Sequence, residues 1–227
     1  MKKVAFFDID GTVFRSSLVI ELIEALINAG VFPNDARDEY FDEYHAWRNR
    51  EGEYDAYVNA VVRTFMGHIK GVHYGEFADI GREVVAQQSK HVYRYSRDLI
   101  KKLKAADYFL VSISPSPKTI LDEFCRQHGF DKVYGRIYEI GPQDRFTGAM
   151  VDVHLIENKA NIVARVLDKE AVTKKGSIGV GDTDGDIPLL ESVERPICFN
   201  PNKRLHDHAT RLDWDIVVER KDMIYEL

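Results

Sequence analysis

Carboxylates crowd two short stretches of this 227-residue chain, and each follows a run of strand-forming residues. The first is Phe7-Asp8-Ile9-Asp10-Gly11-Thr12, behind the apolar run that starts at Val4. In an extended chain residues two apart share a face, so Asp8 and Asp10 point together while Ile9 points away. Gly11 permits a tight turn whose backbone N–H groups, with that of Thr12, can face an anion. The second stretch, Gly181-Asp182-Thr183-Asp184-Gly185-Asp186, sets three carboxylates in five positions. Acids so crowded repel one another, and a hard divalent cation is the simplest compensation. Both stretches have plainer uses as well. Asp and Gly are ordinary turn residues, and Asp184 or Asp186 can cap the helix that starts near Ile187. A calcium loop of the EF-hand kind is disfavoured, because Ile187-Pro188-Leu189-Leu190 supplies none of the later ligands.

Two more groups stand at strand ends or helix starts. Leu110-Val111-Ser112-Ile113-Ser114-Pro115 closes an apolar run in hydroxyls, just before a helix expected over Pro115–His128. A hydroxyl there, with neighbouring N–H groups such as that of Ile113, is a natural donor to a phosphate oxygen, although Ser112 and Ser114 also suit a cap and a turn. Lys159 opens a helix after Glu157-Asn158. Helix N-termini disfavour cations, so a lysine there is out of place unless it serves an anion.

The elements that must position these groups follow from periodicity. Val4–Phe7 reads as a buried strand. Leu18, Val19, Leu22, Ile23, Leu26 and Ile27 then recur at helical spacing, with Ser16 or Ser17 as cap and Gly30 as terminator. Helical stretches are expected over 34–50, 55–70 and 74–106, the last with a break, and their tyrosines, Trp47 and Phe65 give this block an apolar face of its own. From Tyr108 onward strands and helices alternate, with strands near 108–112, 133–140, 177–180, 197–199 and 216–218 and a hairpin-like excursion over 145–153. Such alternation predicts an α/β fold: a parallel sheet with helices on both faces, interrupted after its first strand by a helical insert. The expected division is a core of residues 1–14 and 89–227 and a cap of residues 15–88.

Bulk properties narrow the function classes. A net charge of −6 with acids and bases interleaved argues against a nucleic-acid stripe, and no apolar run is long enough to span a bilayer. Asp8 and Asp10 interrupt the apolar start too early for a secretory leader, so a cytoplasmic enzyme is expected. The two cysteines, Cys125 and Cys198, sit in apolar settings and read as small buried hydrophobes.

Taken in chain order, D-x-D-G-T on the first strand, a serine after a later strand, a lysine, and then G-D-x-x-x-D form a series that resembles the haloacid dehalogenase superfamily. The likeness is to its phosphoserine-phosphatase-like branch, with a Rossmann-like core and an α-helical cap, and it covers essentially the whole chain. It implies a Mg²⁺-dependent phosphatase acting on a small phosphorylated metabolite. Asp8 is then nucleophile and metal ligand, with Asp182 and the Asp10 carbonyl as further ligands. Asp10 is the general acid and base, and Asp186 is an occasional ligand or the holder of Lys159. Gly11, Thr12, Ser112, Ile113 and Lys159 address the phosphoryl group. No nucleic acid and no membrane is implied as partner, and a homodimer is allowed. A phosphomutase or other phosphotransferase, and a non-catalytic phospho-accepting regulatory domain, are the alternatives. The chain departs from phosphoserine phosphatases at Ile113-Ser114, where that family has Gly-Gly, at Gly185, where it has Asn, and at Ser17, where it has Glu. Arg63 and Arg15 are the candidates for contacting the substrate beyond its phosphate.

Overall fold

A computed structural model describes every residue except 154, 155 and 157. Its strands in chain order are β1 (Lys2–Phe7), β2 (Phe109–Pro117), β3 (Lys132–Ile140) and β4 (Phe146–Val151), then β5 (Val172–Gly181), β6 (Arg195–Phe199), β7 (Asp215–Arg220) and β8 (Met223–Glu226). They form a sheet in the order β4-β3-β2-β1-β5-β6-β7-β8. All neighbours run parallel except the edge pairs β3/β4 and β7/β8, which are antiparallel. β1 therefore lies in the middle, with the ends of β2 and β5 on either side of Asp8. This is the place where an open α/β sheet binds its ligands.

The period of two along β1 divides the core. Ala5 and Phe7 join one apolar cluster, while Val4 and Phe6 join another on the opposite face. The second face is covered by α7 (Lys159–Lys169), α8 (Ile187–Leu190) and α9 (Lys203–Leu212). The first is covered by α5 (Arg94–Ala105) and α6 (Lys118–Gln127). It is also covered by the insert, made of α1 (Leu18–Asn28), α2 (Phe41–Arg48), α3 (Tyr54–His68) and α4 (Tyr74–Gln88). Leu22, Ile23, Phe65 and Phe77 of the insert share one continuous cluster with Leu121 and Phe124 of α6. The insert is thus rooted on the sheet by its own amphipathic faces.

Several elements differ from expectation. The helix expected from Pro115 starts at Lys118, because β2 runs on to Pro117. Ser114 and Ser116 each precede a proline, which biases them to extended backbone. The stretch 34–50 opens with a 3₁₀ helix over Asn34–Tyr40 before α2 begins. The long stretch 74–106 breaks between Ser89 and Tyr93, where Tyr93 is extended and caps α5. β5 begins five residues before the expected strand, and β8 follows the last expected one. Among the described residues no helix is long and apolar enough to cross a membrane.

Candidate active site

Asp8 is buried at the end of β1, and its backbone N–H donates to the Val180 carbonyl of β5 at 2.9 Å. That bond brings the two acidic stretches together. Carboxylate oxygens of Asp8, Asp182 and Asp186 all lie within 4.8 Å of one another. Glycines permit the approach: a Cβ on Gly11, whose φ is +86°, would lie 2.2 Å from Asp182 Oδ2, and one on Gly181 would lie 2.5 Å from the Asp186 side chain. Neither position admits a side chain without displacing an acid.

Lys159, at the start of α7, reaches into this cluster. Its Nζ donates to Asp8 Oδ1 and to Asp186 Oδ1, each at 2.5 Å. Burial alone would lower the ammonium pKa, but the charges of Asp186 and Asp8 outweigh it and hold Lys159 protonated. The other Asp186 oxygen accepts from the N–H groups of Asp182 and Thr183 at 3.0 and 3.1 Å, closing a capping box with Thr183. Both oxygens of Asp186 are thereby engaged. Asp184, by contrast, turns outward to Asn202 and Arg204, and its carboxyl pKa is lowered first by the Asn202 bond.

Asp8 Oδ2 is left buried without a hydrogen-bond partner. Burial raises the Asp8 pKa to about 8, against the pull of Lys159, and burial with the Asp8 and Asp186 charges also raises that of Asp182. An orphaned carboxylate oxygen beside other acids, in a site that resists their ionisation, suits a hard cation with oxygen ligands such as Mg²⁺. The residues present fit that ion.

Asp10 is held separately. Its Oδ1 accepts the Leu18 N–H at 2.6 Å, at the start of α1. Its Oδ2 accepts the Ser116 hydroxyl at 2.8 Å and the Ser114 hydroxyl as well. The extended β2 end places these serines two apart on one face, toward Asp10. Ser112 is engaged elsewhere: its buried hydroxyl meets the Lys132 carbonyl at 3.5 Å and accepts from Cys125 Sγ at 3.3 Å. The structure therefore brings Ser114 and Ser116 to the acids and turns Ser112 aside. Ile113 is buried on the opposite face of the sheet.

The first-motif turn is also arranged differently from expectation. The Gly11 N–H donates to the Phe14 and Ser16 carbonyls at 2.9 and 3.2 Å, and the Thr12 N–H to Ile9 at 3.3 Å. These amides close the turn itself. Thr12 acts through its hydroxyl, which donates to Asp182 Oδ1 at 2.8 Å. Arg63 lies on the exposed side of α3, paired with Glu43 at 3.3 Å, and lines neither of the cavities at the acids. Arg15 does line one, with its guanidinium 5.6 Å from the Tyr93 ring centroid.

Those cavities meet at the acids. One of 300 Å³ is lined by Asp8, Asp10, Lys159 and Asp182, and by Arg136 of β3. A larger one of 740 Å³ extends from Gly11 and Asp182 under the insert. Asp182 and Tyr54 border both. Neither Arg136 nor Ser116 was singled out from the sequence. Arg136 follows Gly135, where a Cβ would lie 2.6 Å from Leu121, and a glycine needed for close packing within an otherwise apolar-polar strand was the available signal.

The fold and site define a phosphatase-like α/β hydrolase, and the comparisons agree. A model of the haloacid dehalogenase-like hydrolase family matches residues 5–191, and the chain belongs to that family. It is 24% identical to a histidinol-phosphatase from Neisseria meningitidis, over 96% of this chain and 99% of that one. A Bordetella pertussis protein of unknown function shares the fold with a TM-score of 0.73 at 20% identity, covering 95% of this chain and 98% of that one. A phosphoserine phosphatase solved as a phospho-aspartyl intermediate analogue superposes with a TM-score of 0.64, also at 20% identity, over 97% and 95% of the two chains. The chain is thus a haloacid dehalogenase-like hydrolase whose fold is shared with phosphoserine phosphatases.

Proposed function

We propose that the chain hydrolyses a small-molecule phosphate monoester through a phosphoryl group carried on Asp8, with Mg²⁺ as cofactor. The observation that carries this reading is the pairing at Asp8. One oxygen is gripped by Lys159, while the other is buried and unpartnered among acids. Asp8, Asp182 and the Asp10 carbonyl would hold the ion. When bound, Mg²⁺ supplies the positive charge that lets an anionic substrate sit beside three carboxylates.

The chain's own residues divide the remaining work. An Asp8 carboxylate oxygen attacks phosphorus, the bond to the leaving oxygen breaks, and Asp10 gives that oxygen a proton. Water then attacks the phosphorus of the acyl phosphate and passes a proton to Asp10, releasing Asp8 and phosphate. Ser114 and Ser116 hold Asp10 in place and can rotate their hydroxyls as it gains or loses the proton. Lys159 balances charge at the reacting oxygens, and Asp186 keeps Lys159 there.

The test is the rate of aryl phosphate hydrolysis, with intact mass as a second readout. Asp8→Asn should reduce turnover by ~10⁴-fold or more and abolish any phosphate adduct. Chelation should stop the wild-type enzyme and Mg²⁺ restore it. Full turnover by Asp8→Asn, or in excess chelator, rejects the reading.

A further inference from the structure

The 740 Å³ cavity leads from Asp182 into the insert, and its wall there is built largely of rings. Tyr57 is their hub. Trp47 stacks on it with centroids 5.8 Å apart and planes 13° apart, and Tyr44, which already carries the Arg48 guanidinium 5.5 Å from its ring centroid, lies 5.3 Å away. Tyr54 meets Trp47 at 5.1 Å. Beside them Glu24 accepts from the Tyr40 hydroxyl and from Arg37 Nε, the latter at 3.0 Å. Arg37 Nη2 donates to Asn28 at 2.6 Å.

Three features of this wall select a ligand chemistry. Ring faces are electronegative and attract cations, most strongly those that water solvates weakly. Carboxylate charge reinforces them: burial, then Glu24, pushes the Tyr57 hydroxyl pKa up to about 12. A ligand carboxylate would meet an Arg37 guanidinium whose charge is already paired with Glu24, while Arg15 stands at the other end of the cavity with Gly11 and Asp182. A primary ammonium brings three donors that need acceptors, and the carboxylate in this wall, Glu24, already accepts at each oxygen and is paired with Arg37. A quaternary ammonium brings none.

We infer that the alcohol half of the substrate carries a quaternary ammonium, seated against Trp47, Tyr54 and Tyr57. This deepens the phosphatase reading and rests on it.

The probe is a pair of phosphate monoesters equal in shape and different in charge: choline phosphate and its neutral carbon isostere, 3,3-dimethylbutyl phosphate. Ethanolamine phosphate and O-phosphoserine complete the panel, with an aryl phosphate as reference. The cation should be preferred over the isostere by about tenfold or more in kcat/KM. Trp47→Leu should bring that ratio toward one, and Trp47→Phe should keep most of it. Quenching of tryptophan fluorescence by choline, and not by 3,3-dimethylbutanol, reads the box without turnover. Aryl phosphate hydrolysis with no charge preference and no quenching overturns the inference, as does a preference for O-phosphoserine. Quenching that persists in an enzyme unable to hydrolyse any monoester supports the box and rejects the phosphatase reading instead.

Discussion

The sheet end and the cavity under the insert share Asp182 and Tyr54 as a border, yet they are built on opposite principles. At the sheet end, charged groups hold one another: Lys159 spans Asp8 and Asp186, Thr12 fixes Asp182, and three donors fix Asp10. Two glycines keep the acids close. Beyond the border the wall is a set of rings in contact with one another, with one ion pair between Glu24 and Arg37. Charge-assisted bonds demand fixed geometry, which suits a reaction that is the same for every monoester. Ring faces are broad and tolerant, which suits selection of the group attached to the phosphate. Changes at the sheet end should therefore affect all substrates, and changes in the cavity should reorder them.

The largest effect available at Asp10 tests the first half of that contrast. Asp10→Asn keeps the backbone and removes the transferable proton. Hydrolysis of an alkyl phosphate should slow by roughly 10²–10⁴-fold. Nitrophenolate leaves without protonation, so its first step should survive better, and a phosphate adduct should build up in the intact mass. If alkyl and aryl substrates slow equally with no adduct, Asp10 is not the proton donor.

A smaller effect distinguishes the serines. Ser116→Ala removes one of the two hydroxyl donors to Asp10 Oδ2. Hydrogen bonds to a charged group are worth ~1.5–3 kcal/mol, so kcat on an alkyl phosphate should fall about 10- to 100-fold, while aryl hydrolysis should fall less. Ser112→Ala should stay within about threefold, because that hydroxyl meets Lys132 and Cys125 instead. The reverse ranking would place Ser112 at the phosphate.

The sequence shows the sheet end far more clearly than the cavity. Asp8, Asp10, Asp182, Asp186 and Lys159 each stand where a strand ends or a helix begins, so local periodicity predicts their meeting place. Ser114 and Ser116 were harder to read, because Pro115 resembles a helix start and the extended continuation depends on pairing with β3. The rings of the insert carry no local mark of their destination. At helical spacing Tyr44, Trp47, Tyr54 and Tyr57 look like ordinary core, and only the packing of α2 and α3 shows that they line a cavity. β8 is a short edge strand whose pairing with β7 is a tertiary event.

Protonation gives a smaller but diagnostic effect. In an unfolded chain Asp8 loses its proton near 3.8, whereas in the metal-free fold burial, opposed by Lys159, shifts its pKa up to about 8, and Asp182 shifts in the same direction. Between those values the folded state binds more protons than the unfolded one, so stability falls as pH rises across that window. An ion at these acids replaces the protons. The rise in Tm caused by Mg²⁺ should therefore be larger at pH 8 than at pH 5, as thermal unfolding would show. An equal rise at both would mean that the ion binds elsewhere.

The smallest expected effect concerns Arg63, which the sequence offers as a reader of substrate and the fold places on the outer side of α3. Its guanidinium is exposed and meets Glu43, and it borders neither cavity at the acids. A surface pair of this kind is worth about 0–1 kcal/mol, which in a chain of this size amounts to no more than ~4 °C in Tm. Arg63→Ala should leave the ranking of choline phosphate, its neutral isostere and O-phosphoserine as it is, with each kcat/KM within about twofold of wild type. Arg15→Ala, in the wall beside Gly11, should raise KM across the panel, because it removes a cation from the end where every monoester places its phosphate. If Arg63→Ala selectively weakens O-phosphoserine, the insert must close in solution far enough to bring α3's outer face over the site. The division between a fixed sheet end and a selective cavity would then have to include that movement.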